Sequence, residues 1–452
     1  METGRREFLQ KMSGLAAVAA SPAVLDQAEA MSPPQSLRVP GKQASLNTES
    51  LRAQFPVLAE RVNGNPLVYL DSAATTQRPR AVIDGLTNFY LHENANPSPT
   101  LHTLARRCAA LYQKAREKVA QFMNARGPEE IVWTRGTTEA INLVAASWGG
   151  ANLHSGDEMI LTVSEHYSSL VPWQLAAQRA GARVRVLDIQ DDGRLRLDQF
   201  DTLLSSRTKL VVFPHVSNVL GLINPAKDIC ARAHRVGAAV LVDGAQSVPH
   251  FSIDVQDLGC DFFAFSGHKM CGPMGTGVLW AREEILDKMA PYQSGSNMAH
   301  NVEMETGPAL FAEGSLKFEA GTPNVAGAVG LATAIEFLES LGRKALWMRE
   351  QELTRYALRR LREVPGLRIL GGGQAEDRVS VFSFVIENKE PLDVVTSLDT
   401  QGIAIREGDL ASLPVLKRMG LSAAIRASCY AYTTNKEIDQ LVAALNQTIG
   451  VL

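Results

Sequence analysis

Lys269 ends the motif Ser266-Gly267-His268-Lys269, which closes the apolar run Phe262 to Phe265 and leads into Gly272-Pro273-Met274-Gly275. A lysine just after a buried strand is expensive to leave unpaired, and a Schiff base with a carbonyl compound would give its amine a reason to be there. The plainer alternative is a solvated lysine in a glycine-rich loop. Upstream, Val242-Asp243-Gly244-Ala245-Gln246 ends the most apolar run, Ala238 to Val242. Asp243 either caps the next helix or keeps a pyridinium nitrogen protonated, the state in which such a ring draws electrons. Earlier still, Gly136-Thr137-Thr138-Glu139 follows Ile131-Val132-Trp133 and opens a helical pattern. Threonine before glutamate is an ordinary helix cap. The same residues at a helix N-terminus also offer unpaired N–H donors and a favourable dipole to a phosphate. Each motif alone has a purely structural reading, but the plain reading of the lysine weakens once the other two precede it in this order.

The elements around these motifs are short apolar runs, Met159 to Val163, Leu210 to Pro214 and Ala238 to Val242, alternating with helical patterns such as Ala105 to Met123 and Pro225 to Val236. Strands separated by helices predict an α/β fold with a mostly parallel sheet covered on both faces. In such sheets ligands sit beyond the carboxyl ends of the strands, which is where all three motifs fall. Near Gly321-Thr322-Pro323-Asn324 the pattern changes and a long helix begins at Val325. The expected division is a large cofactor-binding domain over 65–330 and a smaller α+β domain made of 49–64 and 331–452.

A chain of 452 residues, 45% hydrophobic and 21% charged, can bury a large core. Its formal charge of −3 and lack of basic blocks leave no electrostatic footprint for nucleic acid or an anionic membrane, so the expected partner is a small molecule. The five cysteines, Cys108, Cys230, Cys260, Cys271 and Cys429, show neither a CxxC pair nor metal-ligand spacing, so no metal is expected. Residues 1–30 differ in kind: Arg5-Arg6-Glu7-Phe8-Leu9 precedes a weakly apolar, alanine-rich stretch and then Ala28-Glu29-Ala30. That order predicts a twin-arginine export signal, with the periplasm as working compartment. The stretch is too short and too weakly apolar for a membrane span. Residues 31–48, with Pro33-Pro34, Pro40 and Gly41, read as a tether.

Taken with Ser164-Glu165-His166, His215-Val216-Ser217-Asn218 and Phe318-Glu319-Ala320-Gly321-Thr322-Pro323-Asn324, the three motifs resemble the class V aminotransferases, and within them the cysteine desulfurases and selenocysteine lyases. The resemblance runs from about Leu51 to Leu445. It implies a fold type I pyridoxal-phosphate (PLP) transferase and a homodimer with sites at the subunit boundary. By resemblance, Lys269 carries the cofactor, Asp243 pairs with the pyridine nitrogen, Gln246 bonds the ring oxygen and His166 stacks on the ring. Asn218 would lie beside ring and substrate. Thr137, Thr138, Ser266 and His268 would hold the phosphate, and Thr322 would reach the phosphate of the neighbouring subunit. Arg426 would grip the substrate carboxylate, with Arg406 and His102 also at the substrate.

The pattern departs from the desulfurases in two places. The small-domain stretch reads Arg406-Glu407-Gly408-Asp409-Leu410-Ala411-Ser412, with Ala411 where those enzymes have the persulfide-forming cysteine. Ser98-Pro99-Thr100 replaces a histidine-arginine-glycine wall before Leu101-His102-Thr103-Leu104. On these grounds the chain is expected not to be a persulfide-forming desulfurase. With the export signal, it most resembles a periplasmic enzyme of pyoverdine siderophore maturation that converts the chromophore-bound glutamate of a peptidic precursor to succinamide, by an oxidative decarboxylation that keeps the nitrogen and uses dioxygen. Two alternatives stand beside it: an exported cysteine or cystine lyase working by β-elimination, and a non-catalytic binding protein on the same fold.

Overall fold

The computed structural model describes residues 46–300, 302 and 310–451. The signal read at 1–30 and the tether up to residue 45 lie outside the described residues; the tether was expected to reach residue 48, but Asn47 caps and Thr48 opens the short helix Thr48–Arg52. A seven-stranded sheet forms the centre, built from β1 (Ile131–Thr134), β2 (Glu158–Thr162), β3 (Arg183–Leu187), β4 (Thr208–Pro214), β5 (Ala239–Asp243), β6 (Phe262–Ser266) and β7 (Gly277–Ala281), in the order β1-β7-β6-β5-β4-β2-β3. All neighbours are parallel except β7, which runs antiparallel to both β1 and β6. This is the mostly parallel fold type I sheet that the sequence predicts.

The strands form here because both of their faces are covered, so they can be apolar without interruption. Along β4, β5 and β6, Leu210, Val212, Leu241, Phe262 and Ala264 enter one core. Their alternates Val211, Phe213, Val240, Val242, Phe263 and Phe265 enter the other, as the two-residue period of a strand requires. Each buried phenylalanine contributes about 1.5–3 kcal/mol. Phe263 also shapes the site: a Cβ on Gly244 would fall 2.1 Å from its ring, so only glycine lets the chain turn immediately after Asp243.

Flanking helices position the rest: α1 (Thr103–Phe122), α2 (Thr137–Ala146), α3 (Tyr167–Ala180), α4 (Val325–Leu341), α5 (Arg343–Leu361), α6 (Pro391–Thr400), α7 (Leu413–Arg418) and α8 (Asn435–Val451). Among the described residues no single helix is long and apolar enough to cross a membrane. Residues 330 and 331, where the larger domain was expected to end, lie inside α4.

A second, antiparallel sheet comprises β8 (Leu367–Ile369), β9 (Val381–Ile386), β10 (Arg406–Gly408) and β11 (Ala424–Ser428), in the order β8-β9-β11-β10. It has its own core, in which Phe382, Phe384, Ile425 and Ala427 pack with Leu353, Leu441 and Leu445 of α5 and α8. The N-terminal segment is stitched to this layer. Val68–Tyr69 pairs in parallel with Ile403–Ala404, and Asp71 bridges to Ser428. In the register of β10 and β11, Arg406 stands directly opposite Arg426.

One buried ion pair anchors the segment that leads to Thr322. Glu319 Oε1 accepts from Arg116 and from the Trp133 amide at 2.8 and 2.9 Å, while Oε2 accepts from Arg116 and the Tyr112 hydroxyl, both at 2.8 Å. Both charged side chains are 4% exposed. Removing one partner strands the other charge without water, so Glu319→Ala should lower the unfolding free energy by about 3–5 kcal/mol, read from the shift in denaturant midpoint.

Candidate active site

The carboxyl ends of β2, β4, β5 and β6 open onto a cavity of about 470 Å³, closed from the other side by β10, β11 and the loop 409–412. Lys269, His166, Thr137, Thr138, Asn218, Asp243, Gln246, Ser266, His268, Arg406 and Arg426 all line it. Residues from positions 137 to 426 meet because each follows a strand of one sheet or sits on the facing sheet.

At one end, Thr137 begins α2, and its amide and hydroxyl meet Ser266 Oγ at 2.9 and 2.8 Å. Thr138 Oγ1 meets Ser168 Oγ at 2.6 Å. The fit is close, since a Cβ on Gly277 would lie 2.4 Å from Gly136 Cα. With the Thr137 amide on Ser266, the next N–H groups at the start of this ten-residue helix, ringed by hydroxyls, make a phosphate cradle.

At the other end the electrostatics are set by burial. The Lys269 amine is drawn down to about 8 by desolvation, with Asp243 opposing and Arg426 and Arg406 reinforcing the shift. Burial raises Asp243, against the Ala245 N–H that its Oδ1 accepts at 2.9 Å and the charge of Lys269. His166 falls to about 4 through burial and then the positive charges of Lys269 and Arg426, with Asp409 opposing. Its ring is therefore neutral at pH 7. Because Nδ1 accepts the Ser168 amide at 3.1 Å, the ring proton sits on Nε2. Burial, then Lys269 and Arg78, likewise brings His268 to about 4.

Arg426 is 3% exposed. It donates to the Asn218 carbonyl at 3.1 Å and to Asp71 at 3.4 Å, and its buried Nε has no partner. As a cation lining the cavity, Arg426 is suited to a substrate carboxylate, which would draw its guanidinium from these neighbours. Gln246 donates to the Ala73 carbonyl at 2.7 Å and leaves its buried Oε1 unpartnered.

Of the expected residues, His102 alone stands where it was not expected; Asn218 is at the cavity as expected, and Thr322, expected at the neighbouring subunit's site, is off the cavity of its own chain. Asn218 lines the cavity, but its amide is engaged by the loop, donating to the Leu410 carbonyl at 2.9 Å and accepting from Ser412 Oγ at 3.0 Å. His102, expected at the substrate, is exposed and does not line this cavity. It caps α1 by accepting the Ala105 amide at 3.3 Å, because the helix begins there and points the ring at its own first turn. Thr322 is exposed and also lies off the cavity.

Sequence reasoning missed Asp71 and Tyr167. Asp71 closes the apolar run Val68 to Leu70 just as Asp243 closes its own, and that parallel was the available signal. Tyr167 pins the loop, with its hydroxyl on Asp409 at 2.7 Å and its amide on the Ala411 carbonyl at 2.8 Å. Leu410 and Ala411 are both held at φ 53, a left-handed conformation that costs a non-glycine residue about 1–2 kcal/mol. Ala411 lines the cavity, and none of the five cysteines does. Cys271, nearest to Lys269 in sequence, is a buried thiol pushed up to about 12 by desolvation.

The family profile described as aminotransferase class-V matches residues 68–441. A cysteine desulfurase of Synechococcus elongatus is 48% identical over 88% of this chain, which spans 63% of that protein's length. A probable cysteine desulfurase of Halalkalibacterium halodurans is 48% identical over 89% of this chain and 98% of its own. Among solved structures, the cysteine desulfurase CsdA of Escherichia coli superposes with a TM-score of 0.83 at 38% identity, covering 90% of this chain and all of that one.

These relatives correct the functional expectations. The siderophore reading, with its glutamate decarboxylation and succinamide product, is overturned by relatives that carry the desulfurase name over nearly the whole chain. The lyase and binding-protein alternatives, and the expectation that the chain is no persulfide-forming desulfurase, fall to the same finding. The error came from weighing the N-terminal signal and two local departures, Ala411 and Ser98-Pro99-Thr100, above agreement along some 400 residues. The cofactor of this family is PLP held by a lysine, and the residues fit it: a phosphate cradle at α2, a buried carboxylate at Asp243, and an enclosed amine at Lys269. With profile, relatives and site in agreement, the chain belongs to the class V aminotransferase family.

Proposed function

We propose that this protein is a PLP-dependent enzyme of the cysteine-desulfurase type, acting on L-cysteine or a closely related α-amino acid at the carbon–sulfur bond. The observation that carries this reading is that the enclosed Lys269 amine and the buried, partly unpaired Arg426 share one cavity of about 470 Å³. The pair suits the amine and carboxylate of one amino acid, and the names of the relatives support cysteine as that amino acid.

Lys269, Asp243, Gln246 and His166 would hold the cofactor ring, with Thr137, Thr138, Ser266 and His268 around its phosphate. When bound, the cofactor supplies an electron sink for bonds next to the substrate nitrogen. Arg426 grips the carboxylate and fixes which bond is presented. Lys269, drawn down to about 8, exchanges a proton readily near neutral pH. His166, neutral with its proton on Nε2, lines the cavity where the ring would sit and would face it without adding charge. The net change removes sulfur from cysteine, passes it to a thiol acceptor and leaves alanine.

Holoenzyme incubated with L-cysteine and dithiothreitol should release alanine and sulfide in equal amounts, with one dithiothreitol oxidised for each. Pyruvate with ammonia would replace this reading by an elimination, and no consumption of cysteine would overturn it.

A homodimer is also proposed. Thr322 and His102 are exposed and do not line the cavity of their own chain, and Tyr90, Leu91, Leu101 and Met274 are large apolar side chains left exposed. Light scattering at twice the chain mass would support it. Export through the twin-arginine route to the periplasm is proposed from Arg5-Arg6 and the residues that follow, and cell fractionation with an Arg5→Lys, Arg6→Lys variant tests it.

A further inference from the structure

The turn that carries Lys269 is held from outside itself. It closes on Gly267, whose carbonyl accepts the Met270 amide at 3.0 Å and the Gly272 amide at 2.9 Å. Between them Cys271 is held at φ 67, a left-handed conformation that a non-glycine residue keeps only where its surroundings fix it. The segment 71–78 supplies that hold. Thr76, 1% exposed, accepts the Cys271 amide on Oγ1 at 2.7 Å and donates the same hydroxyl to the His268 carbonyl at 3.2 Å. One hydroxyl thus spans the chain from the residue before Lys269 to the second residue after it. The His268 carbonyl also accepts the Thr76 amide and the Thr75 hydroxyl, each at 3.0 Å. Its two lone pairs are therefore filled without the Thr76 hydroxyl, whereas the Cys271 amide has that hydroxyl as its partner. The segment is itself anchored: Tyr69 donates its hydroxyl to the Thr75 carbonyl at 2.7 Å, Arg78 donates to the Thr76 carbonyl, and Tyr432 accepts the Gln77 amide at 3.2 Å. Because the rotamers open to a side chain follow from its backbone, the direction of Lys269 into the cavity depends on this turn.

We infer that Thr76 is a positioning residue: its hydroxyl holds Cys271 in the left-handed conformation and so fixes the turn that aims the Lys269 amine into the cavity. This rests on the reading that Lys269 holds the cofactor. Thr76→Val keeps the shape and removes the hydroxyl, leaving the buried Cys271 amide without its acceptor. Thr76→Ala removes the hydroxyl without putting an apolar branch in its place. Thr76→Ser keeps the hydroxyl.

The test compares the variants by two readouts, well below their melting temperatures. The first is the rate at which cofactor-free protein takes PLP onto Lys269, followed by absorbance and located by borohydride reduction and peptide mass. The second is the split between kcat and KM for L-cysteine. Removing the hydroxyl should slow attachment by about tenfold or more and lower kcat by about 10- to 100-fold, as for a displaced reacting group, with KM little changed. Thr76→Ser should restore both rates. Unchanged attachment and kcat in folded Thr76→Val overturn the inference, even if the melting temperature drops. So does a failure of both Thr76→Val and Thr76→Ala to fold, which would mark the hydroxyl as merely structural. A wild type that carries the pyridoxyl group on another lysine refutes the Lys269 reading, and the inference with it. If the wild type attaches PLP at Lys269 but leaves cysteine untouched, the cysteine reading alone fails, and the attachment rate decides the inference.

Discussion

Lys269→Ala is expected to abolish turnover while leaving the fold intact. Loss of a positioned proton carrier alone costs about 10²- to 10⁴-fold in rate, and the covalent hold on the cofactor is lost as well. The stability side separates this from unfolding. Burial brings the Lys269 amine down to about 8, whereas an unfolded lysine titrates near 10.4. Below about 8 both states are protonated, and the folded state bears the full cost of the enclosed charge. As pH rises from there toward the unfolded value, the unfolded chain binds more protons and stability increases. At pH 7 the cofactor-free alanine variant should therefore unfold at a temperature no lower than the cofactor-free wild type. A marked drop in melting temperature would mean that the lysine is holding the loop together instead.

Asp243→Asn should show the same divergence with a second readout. The carboxylate ends β5 in full burial with one main-chain donor, Ala245. Removing a preorganised charge of this kind typically costs about 10²- to 10³-fold in kcat. The cofactor should still attach to Lys269, because the phosphate cradle and the lysine are untouched. Burial raises the Asp243 carboxyl above its unfolded value, so its ionised form costs stability from the unfolded carboxylate range upward. The asparagine variant should accordingly be at least as stable as the wild type at pH 7, a trade of stability against function. An active Asp243→Asn enzyme would remove this residue from the cofactor site.

The large sheet was legible because its strands are covered on both faces. Runs such as Phe262 to Phe265 and Ala238 to Val242 are apolar without a break, and they end on polar residues at the edge where ligands bind. The small antiparallel sheet was not. β10 is only three residues long, Arg406 to Gly408, and carries charge rather than alternation, so its pairing with β11 is fixed by tertiary packing. Lys269, Asp243 and the helix start at Thr137 followed from strand ends and motif order, while Gln246, His166, Asn218, Ser266 and His268 came only through the family resemblance. Asp71 came through neither, because its pairing with both Arg406 and Arg426 appears only once the two strands place those side chains opposite each other. Ala411 shows the opposite fault: the residue was read correctly and stands on the cavity wall, but one side chain carried too much of the functional conclusion.

The central claim is that PLP is held by Lys269 and by no other lysine. Reduction of the holoenzyme with borohydride, followed by proteolysis and mass spectrometry, should place the pyridoxyl group on the peptide containing Ser266-Gly267-His268-Lys269. A modification on another lysine, or none on an active protein, would contradict it.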